Sequence, residues 1–488
     1  MSEALDYRTA QELVALLAAR NVSAVELVER AITRIAEHDG AINAVVVRDL
    51  DGARTAARLA DAALQRGDRR PLLGLPITVK EAYNVVGLPT TWGFPEAKDF
   101  RPAADALAVA RVKAAGAVIV GKTNVPISLA DWQSYNAIYG TTNNPWDLAR
   151  TPGGSSGGSA AALAAGYVSL ELGSDIGGSL RTPAHYCGVF AHKPSLGLVP
   201  ARGHTRPRFP ALPFESDLAV VGPMARSAED LALALALIAG PDDIAGGIAY
   251  RLELPPPRRL RLADYRVLVV DAHPLIPTAA GVAGALDRLA DNLGKAGARV
   301  ARASPLLPDL ASSARIYARL LSSVFGAMLP IEDYRKIAAA AAALPSDDET
   351  LAAWRARGTV LSHRDWIAAD GARARVRQQW RELFKEWDVV LCPPMPTAAF
   401  PHDHSDEQSR RRIVIDGKEH PYLDQVVWPG IATLAGLPAT AAPIGFADGL
   451  PVGVQIIGPN LEDRTTIHFA SLIERSFGGF IAPPALAA

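Results

Sequence analysis

Thr151-Pro-Gly-Gly-Ser-Ser-Gly-Gly-Ser159 is the most distinctive stretch of the chain, and Leu172-Gly-Ser-Asp-Ile-Gly-Gly-Ser-Leu-Arg181 follows it with similar chemistry. Each stretch places a serine beside paired glycines, and Ser179 lies 24 residues after Ser155. Glycine adopts backbone conformations that other residues avoid, so successive N–H groups can converge on an anion. The alternative is a flexible Gly/Ser linker. The Asn-Asn-Pro-Trp run before the first stretch and the Ala-rich helix predicted over 160–165 favour an ordered loop instead.

The composition predicts a large globular protein with little net charge. Of the 488 residues, 49% are hydrophobic and 21% charged, and the net charge is −1. This allows a large buried core and gives no electrostatic case for binding nucleic acid or an anionic membrane. Two cysteines, Cys187 and Cys392, provide neither a disulfide framework nor a cysteine metal site. The N-terminus lacks the layout of a signal peptide and no apolar run is long enough to span a membrane, so we expect a cytoplasmic protein.

The alternation of strands and helices along the chain predicts an α/β fold. Thr9-Ala-Gln-Glu12 and Ser23-Ala-Val-Glu26 have the pattern of capping boxes, so each should begin a helix. Ala447-Asp-Gly449 is typical of a hairpin turn, within a strand–turn–strand segment over 436–458. Further strands are predicted over 44–47, 75–80, 117–120, 169–172, 266–271 and 299–303, and further helices over 51–65, 105–115, 180–187, 228–239 and 279–296. From 305 to 420 the pattern is irregular, with helices, an Ala run and a polar loop over 400–412.

Two motifs match catalytic patterns but conflict with their surroundings. Gly116-Ala-Val-Ile-Val-Gly-Lys-Thr123 fits the phosphate-loop pattern, yet its middle residues predict a strand where that loop needs a turn, and Pro126 lies where the next helix should begin. We therefore reject nucleotide binding. Gly153-Gly-Ser-Ser-Gly157 fits the nucleophile elbow of α/β-hydrolases, although residues 144–152 cannot form the central strand that precedes an elbow. An α/β-hydrolase-type esterase remains an alternative.

Histidines provide candidates for a general base and for a metal site. His185, His192 and His204 could serve as the base of such an esterase, although their spacing follows no catalytic pattern. His402-Asp-His404 could bind a metal, but it lies in a charged loop and has no third ligand at helical spacing. We expect a solvated loop there and no metal.

Lys80 is the candidate base for a serine nucleophile. It ends an apolar strand, so its amine should be at least partly removed from water, which lowers the pKa of a lysine towards the range useful for a base. The alternatives are a lysine that extends along the surface at a strand end, or one that pairs with Glu81. The residues around Lys80 do not by themselves decide between these interpretations.

Several motifs in fixed order together resemble the amidase signature family of serine hydrolases. They are Leu75-Pro-Ile-Thr-Val-Lys-Glu81, the two Gly/Ser stretches, Gly222-Pro-Met-Ala-Arg226, Ala435-Gly-Leu-Pro438 and Gly449-Leu-Pro-Val-Gly-Val-Gln455. The resemblance implies an α/β/α sandwich with a large mixed central sheet flanked by helices. It implies one amidase domain over 1–488, with N-terminal helices over 1–70, a catalytic core over 70–240 and 430–475, and a variable substrate-side region over 241–430.

The same resemblance implies a Ser–Ser–Lys triad. Lys80 corresponds to the base, Ser155 to a bridging serine in a cis peptide, and Ser179 to the nucleophile. The N–H groups of the residues before and at the nucleophile would form the oxyanion hole, namely Ile176, Gly177, Gly178 and Ser179. Four further residues would hold the loops in place: Ser156, Ser174, Asp175 and Arg181. The implied reaction is hydrolysis of an amide to a carboxylate and ammonia or an amine through an acyl-enzyme, with no metal or cofactor.

The chain departs from the family pattern at two positions that bear on substrate. Ile127 stands where many members carry an acidic residue, and Thr433 where an asparagine is common. We predict an uncharged apolar or aromatic amide as the small-molecule partner of a pocket lined by Leu129, Trp132, Tyr135, Phe325 and Trp428, with Met328 close by; ordinary core packing is the alternative for these residues.

Two other functions stay open, as does the assembly. One is a glutamine-hydrolysing subunit of a transfer-RNA amidotransferase, although the Arg-Tyr-Asp-Gly run expected of that branch is replaced by Tyr135-Asn-Ala-Ile-Tyr-Gly140. The other is a catalytically idle binding or scaffold protein on the same fold, against which the intact Lys80, Ser155 and Ser179 argue. A homodimer is the assembly that we keep open.

Overall fold

A mixed sheet of eleven strands forms the centre of the protein in the computed structural model, which describes residues 5–486. Residues 1–4, part of the segment assessed above for a signal peptide, and residues 487–488 lie outside the described part. The strands are β1 Val45–Arg48, β2 Pro76–Lys80, β3 Val118–Thr123, β4 Tyr135–Asn136, β5 Gly140–Thr141, β6 Leu170–Asp175, β7 Phe190–Lys193, β8 Val220–Ala225, β9 Arg266–Val269, β10 Arg299–Ala301, β11 Val389–Cys392, β12 Arg412–Ile415, β13 Lys418–Pro421, β14 Ala439–Ala447 and β15 Leu450–Ile457.

Helices flank this sheet, as expected for an α/β/α sandwich. They are α1 Ala10–Ala18, α2 Ala24–Ile42, α3 Leu50–Gln65, α4 Leu107–Ala114, α5 Gly157–Ala164, α6 Arg181–Cys187, α7 Ala228–Ile238, α8 Ala280–Lys295, α9 Leu310–Gly326, α10 Ile331–Ala342, α11 Leu351–Thr359, α12 His363–Glu386, α13 Val427–Ala435 and α14 Asp463–Phe477. Both predicted capping boxes are formed at the starts of α1 and α2. Between residues 5 and 486, no helix combines the length and apolarity needed to cross a membrane.

The order of strands in the sheet is β1-β3-β2-β6-β8-β7-β14-β15-β11-β9-β10. β2 runs parallel to both of its neighbours, β3 and β6. All residues of these three strands are buried, as expected for parallel strands that are covered on both faces of the sheet. Because β2 and β6 are adjacent and parallel, their carboxyl ends lie at the same edge of the sheet.

The predicted elements agree with this architecture in most places. The phosphate-loop match forms the buried strand β3, as its apolar residues predicted. Asp448 and Gly449 both have positive φ, as a tight hairpin turn requires. Most of the region from 305 to 420 is helical, in α9 to α12. Its pattern was hard to interpret partly because α10 lies at the surface and buries none of its residues.

Candidate active site

Lys80 lies at the carboxyl end of β2 and is completely buried. Its Nζ contacts three serine hydroxyls: Ser155 Oγ at 2.6 Å, Ser174 Oγ at 2.9 Å and Ser156 Oγ at 3.0 Å. The pairing with Glu81 is not formed, because Glu81 accepts hydrogen bonds from the backbone of the 91–92 turn. Among the residues that the structure describes, the lysine amine therefore has only hydroxyl groups within hydrogen-bonding distance.

Burial lowers the pKa of Lys80 to about 7, and the more distant carboxylates of Asp175 and Glu171 only partly oppose this effect. A lysine with this pKa is substantially neutral near neutral pH. The neutral amine has one lone pair and two N–H groups. It can therefore accept the proton of one serine while it donates to the other two.

The first Gly/Ser stretch brings Ser155 to this lysine. The Gly154–Ser155 peptide is cis. Gly154 packs so closely that a Cβ there would lie 2.4 Å from the carbonyl oxygen of Asp131. The Ser156 N–H donates to the carbonyl of Ser179 at 3.2 Å, so the two stretches are joined directly.

The second stretch is held by a buried ion pair. Arg181 donates to both carboxylate oxygens of Asp175, at 2.8 and 3.0 Å. Burial alone would raise the pKa of Asp175, but the charge and hydrogen bonds of Arg181 lower it to about 2. Arg181 also donates to the carbonyl of Pro429, to Gln455 and to Thr433, each at 2.8 Å. This network ties the loop that carries Ser179 to α13 and β15.

The expected oxyanion hole needs one correction. The Gly178 N–H donates to the Asp175 carboxylate at 2.9 Å, so it is not available to a substrate. The N–H groups of Ile176, Gly177 and Ser179 have no acceptor among the described residues. The sequence could not show that the Gly178 N–H is already bonded, because that hydrogen bond depends on the conformation of the Asp175 side chain.

Two long-range contacts hold the carbonyls of this loop. Tyr317 of α9 donates from its hydroxyl to the Ile176 carbonyl at 2.6 Å, and the Trp132 indole donates to the Gly177 carbonyl at 2.8 Å. In a trans peptide the N–H points opposite to the carbonyl, so Tyr317 fixes the direction of the Gly177 N–H. Sequence reasoning missed Tyr317, which lies 141 residues from its partner in a region with no recognisable motif.

Ser155, Ser174 and Ser179 open into a cavity of about 460 Å³. Of the predicted pocket residues, Leu129, Phe325 and Met328 line it, and Trp92, His204, Phe209 and Phe214 do so as well. Trp132, Tyr135 and Trp428 do not, which corrects their assignment. Trp132 packs against the 176–179 loop, where its indole donates to the Gly177 carbonyl. Tyr135 stacks on His404 and accepts a hydrogen bond from Arg411, and Trp428 is fully buried in α13.

The competing candidates have other structural environments. His185 lies between the carbonyls of Gly453 and Thr397, where burial lowers its pKa to about 4, and His192 lies between Thr440 and Asp463. Neither histidine is hydrogen-bonded to Ser155 or Ser179. His204 reaches the cavity, but burial and the nearby Lys80 lower its pKa to about 3. Within the part of the chain that the structure describes, no three His, Cys, Asp or Glu side chains group as metal ligands, and the His402–His404 pair is no exception.

Comparison with known proteins identifies the family. The amidase family model matches residues 26–467, and the chain belongs to this family, the amidase signature enzymes. It is 34% identical to the A-subunit of glutamyl-tRNA(Gln) amidotransferase from Anaeromyxobacter sp. (strain K), over 97% of both chains. It is also 34% identical to AtzE, the 1-carboxybiuret hydrolase subunit of Pseudomonas sp. (strain ADP), over 95% of this chain and 97% of that one. A bacterial aryl acylamidase of the family shares the fold, with a TM-score of 0.81, 24% identity and 97% coverage of both chains. The chain is therefore an enzyme of a class that acts on amide C–N bonds.

Proposed function

We propose that this enzyme hydrolyses a small amide through a triad of Lys80, Ser155 and Ser179. The observation that carries the proposal is the contact of 2.6 Å between Ser155 Oγ and a fully buried lysine whose pKa is about 7. Ser155 and Ser179 both open into the same cavity. A base of matched pKa, a bridging hydroxyl and a second serine at a substrate-sized cavity are the components that nucleophilic catalysis needs.

We propose the following reaction. Neutral Lys80 accepts the proton of Ser155, Ser155 accepts that of Ser179, and Ser179 Oγ forms a bond to the amide carbon. The carbonyl oxygen becomes an oxyanion that accepts hydrogen bonds from the N–H groups of Ile176, Gly177 and Ser179. The C–N bond breaks as Ser155 returns a proton to the leaving nitrogen. Water then attacks the acyl-enzyme by the same proton path, which releases the carboxylate and restores Ser179.

For the substrate, we propose an uncharged amide with an apolar or aromatic acyl group. Leu129, Phe325 and the neighbouring apolar side chains form most of the cavity wall. Three charged residues also line it, but each has a partner within the protein. Asp175 accepts from Arg181 at 2.8 Å, Asp217 accepts from Arg373 at 2.6 Å, and Arg206 donates to the Met328 carbonyl at 3.3 Å. An apolar acyl group gains from burial against such a wall, whereas an unpaired ion would pay for its dehydration.

A second candidate is a glutamine-hydrolysing subunit that works within a complex. The similarity to one chain of an amidotransferase, over 97% of both chains, favours it. Glutamine carries an ammonium and a carboxylate, so it would need Asp217 and Arg206 to exchange their present partners. Gel filtration of the purified chain, by itself and with candidate partner chains, would distinguish an independent monomer or homodimer from a subunit that needs partners.

The triad is tested by covalent labelling with a fluorophosphonate probe, in which the Ser179 oxygen forms a bond to phosphorus and fluoride leaves. Ser179→Ala should abolish labelling, and Lys80→Met should reduce it by several orders of magnitude without loss of folding. Lys193→Met is the matched control. Burial also lowers the pKa of Lys193 to about 7, but its Nζ donates only to the carbonyl of Pro194. Full labelling of Lys80→Met would refute the triad.

The substrate is tested by kcat/KM for acetamide, hexanamide, benzamide, an anilide and glutamine. Hexanamide, benzamide or the anilide should be preferred, and Phe325→Ala should reduce that preference. Phe477→Ala, an exposed phenylalanine at the end of α14 that is away from the cavity lining, is the control. Glutamine as the best substrate would support the second candidate instead.

A further inference from the structure

A second cavity, of about 480 Å³, lies apart from the serines and shares no lining residue with their cavity. One wall is the carboxyl-terminal half of α12, which contributes Arg377 and Arg381. The opposite walls are the end of α13 and the turn after β15. The remaining lining residues that matter here are Arg258, Asn460 and Glu462.

The charges in this cavity do not balance. Arg258 and Glu462 neutralise each other, because Nε and Nη2 of the arginine donate to the two carboxylate oxygens at 2.5 and 2.7 Å. Arg377 and Arg381 have no ion pair or hydrogen bond with any residue from 5 to 486. Two positive charges on the cavity wall are thus left without a directly bound counter-charge.

Arg377 and Arg381 also carry like charges on the same face of α12. They are four residues apart on one helix, so they share a face, and like charges at this spacing destabilise a helix. Arg373, one turn earlier, adds a third guanidinium, although it is paired with Asp217 and Asp370. Burial, together with the charges of Arg373 and Arg381, lowers the pKa of Arg377, and those two carboxylates only partly oppose this effect. A bound anion would relieve the repulsion.

We propose that this cavity binds a phosphate dianion, free or as a phosphate monoester, between Arg377 and Arg381. Each guanidinium presents a planar fork of donors that matches an oxyanion. A carboxylate carries one charge and can accept both hydrogen bonds of one such fork. A phosphate group carries two charges and has enough oxygens to accept hydrogen bonds from two forks at once. The side-chain amide of Asn460, on the same cavity, supplies a further neutral donor.

The test is isothermal titration of the purified full chain at constant ionic strength and about pH 8, where phosphate is mainly a dianion. The probes are inorganic phosphate, glycerol 3-phosphate, succinate and chloride. We expect saturable binding of at least one phosphate probe, about tenfold or more weaker in the double variant Arg377→Gln/Arg381→Gln. Arg375→Gln removes an exposed arginine of α12 that does not line the cavity, and it should bind as wild type does.

Thermal unfolding gives a second, independent measurement. Without phosphate, the double variant should have a Tm equal to or above that of wild type, because the repulsion is removed. With saturating phosphate the order should reverse, because only wild type gains binding energy. Tighter binding of glycerol 3-phosphate than of phosphate would identify an ester as the ligand, and the reverse would identify free phosphate. No saturable binding, equal binding of succinate, or binding unchanged in the double variant would overturn the proposal.

Discussion

Removal of the Ser174 hydroxyl should shift the pH dependence of the enzyme toward acid. In wild type, kcat/KM should fall about tenfold per pH unit below about pH 7, because only the neutral amine of Lys80 accepts a proton and its pKa is about 7. The Ser174 Oγ accepts a hydrogen bond from the Lys80 Nζ at 2.9 Å. Ser174→Ala removes this acceptor and adds no charge.

The size of the shift follows from the difference between a charged and a neutral donor. A hydrogen bond from an ammonium contributes roughly 1 kcal/mol more than one from an amine, so its loss disfavours the ammonium by that amount. At about 1.4 kcal/mol per pH unit, the midpoint should move by roughly 0.7 toward acid. One pH unit below the wild-type midpoint, activity relative to the plateau should rise from about one-tenth to about one-third.

The assay is kcat/KM across the pH range, with each variant normalised to its own plateau, since loss of a contact to Lys80 can also lower the plateau. Ser169→Ala is the control, because Ser169 is buried just before β6 and its hydroxyl contacts no polar partner among the described residues. Its midpoint should match wild type. An unchanged or alkaline-shifted midpoint in Ser174→Ala would contradict the assignment of Lys80 as the base.

Three further variants or treatments test the surroundings of the triad. Tyr317→Phe should lower kcat about tenfold with little change in KM or Tm, since loss of one hydrogen bond releases the Ile176 carbonyl; kcat equal to wild type would show that Tyr317 does not position the Gly177 N–H for the reaction. Arg181→Met should destabilise the fold by roughly 3–5 kcal/mol in denaturant unfolding, because it leaves the buried Asp175 unpaired, and a loss below about 1 kcal/mol would contradict this. Iodoacetamide should leave activity intact, because burial raises the pKa of Cys187 and its thiol donates to a backbone carbonyl; rapid inactivation that substrate prevents would show an accessible site thiol.

The sequence predicted the features that depend on local rules. An apolar run that ends in a lysine predicted a buried strand with its amine away from water, and Lys80 has this environment. The predictions of the two capping boxes and of the Asp-Gly turn were correct, because each motif depends on a few neighbouring residues. The prediction that the stretches containing Lys80, Ser155 and Ser179 come together in space came from the resemblance to the amidase signature family. No local rule predicts it.

The cavity could not be predicted to the same extent. Trp132 and Tyr135 lie between the catalytic stretches in the chain, and this position suggested that they line the pocket. Their rings instead pack against other loops, because an aromatic side chain can turn to either face of its segment and tertiary packing decides which. Phe209 and Phe214 line the cavity from a loop without a recognisable pattern.

Burial alone does not explain why Lys80, among the buried lysines, is the proposed base. Lys122 and Lys193 are also fully buried, and burial lowers the pKa of each. Their amines, however, donate to carbonyl oxygens, which have no proton to give. Lys122 also donates to Thr90, but the Thr90 hydroxyl donates its own proton to the Tyr83 carbonyl. Lys80 differs because β2 and β6 end side by side, so that its amine meets Ser174 from the next strand and Ser155 from the loop before α5. The low pKa is a general consequence of a large core, whereas the catalytic role that we propose for Lys80 rests on parallel strands that bring hydroxyl groups to one lysine.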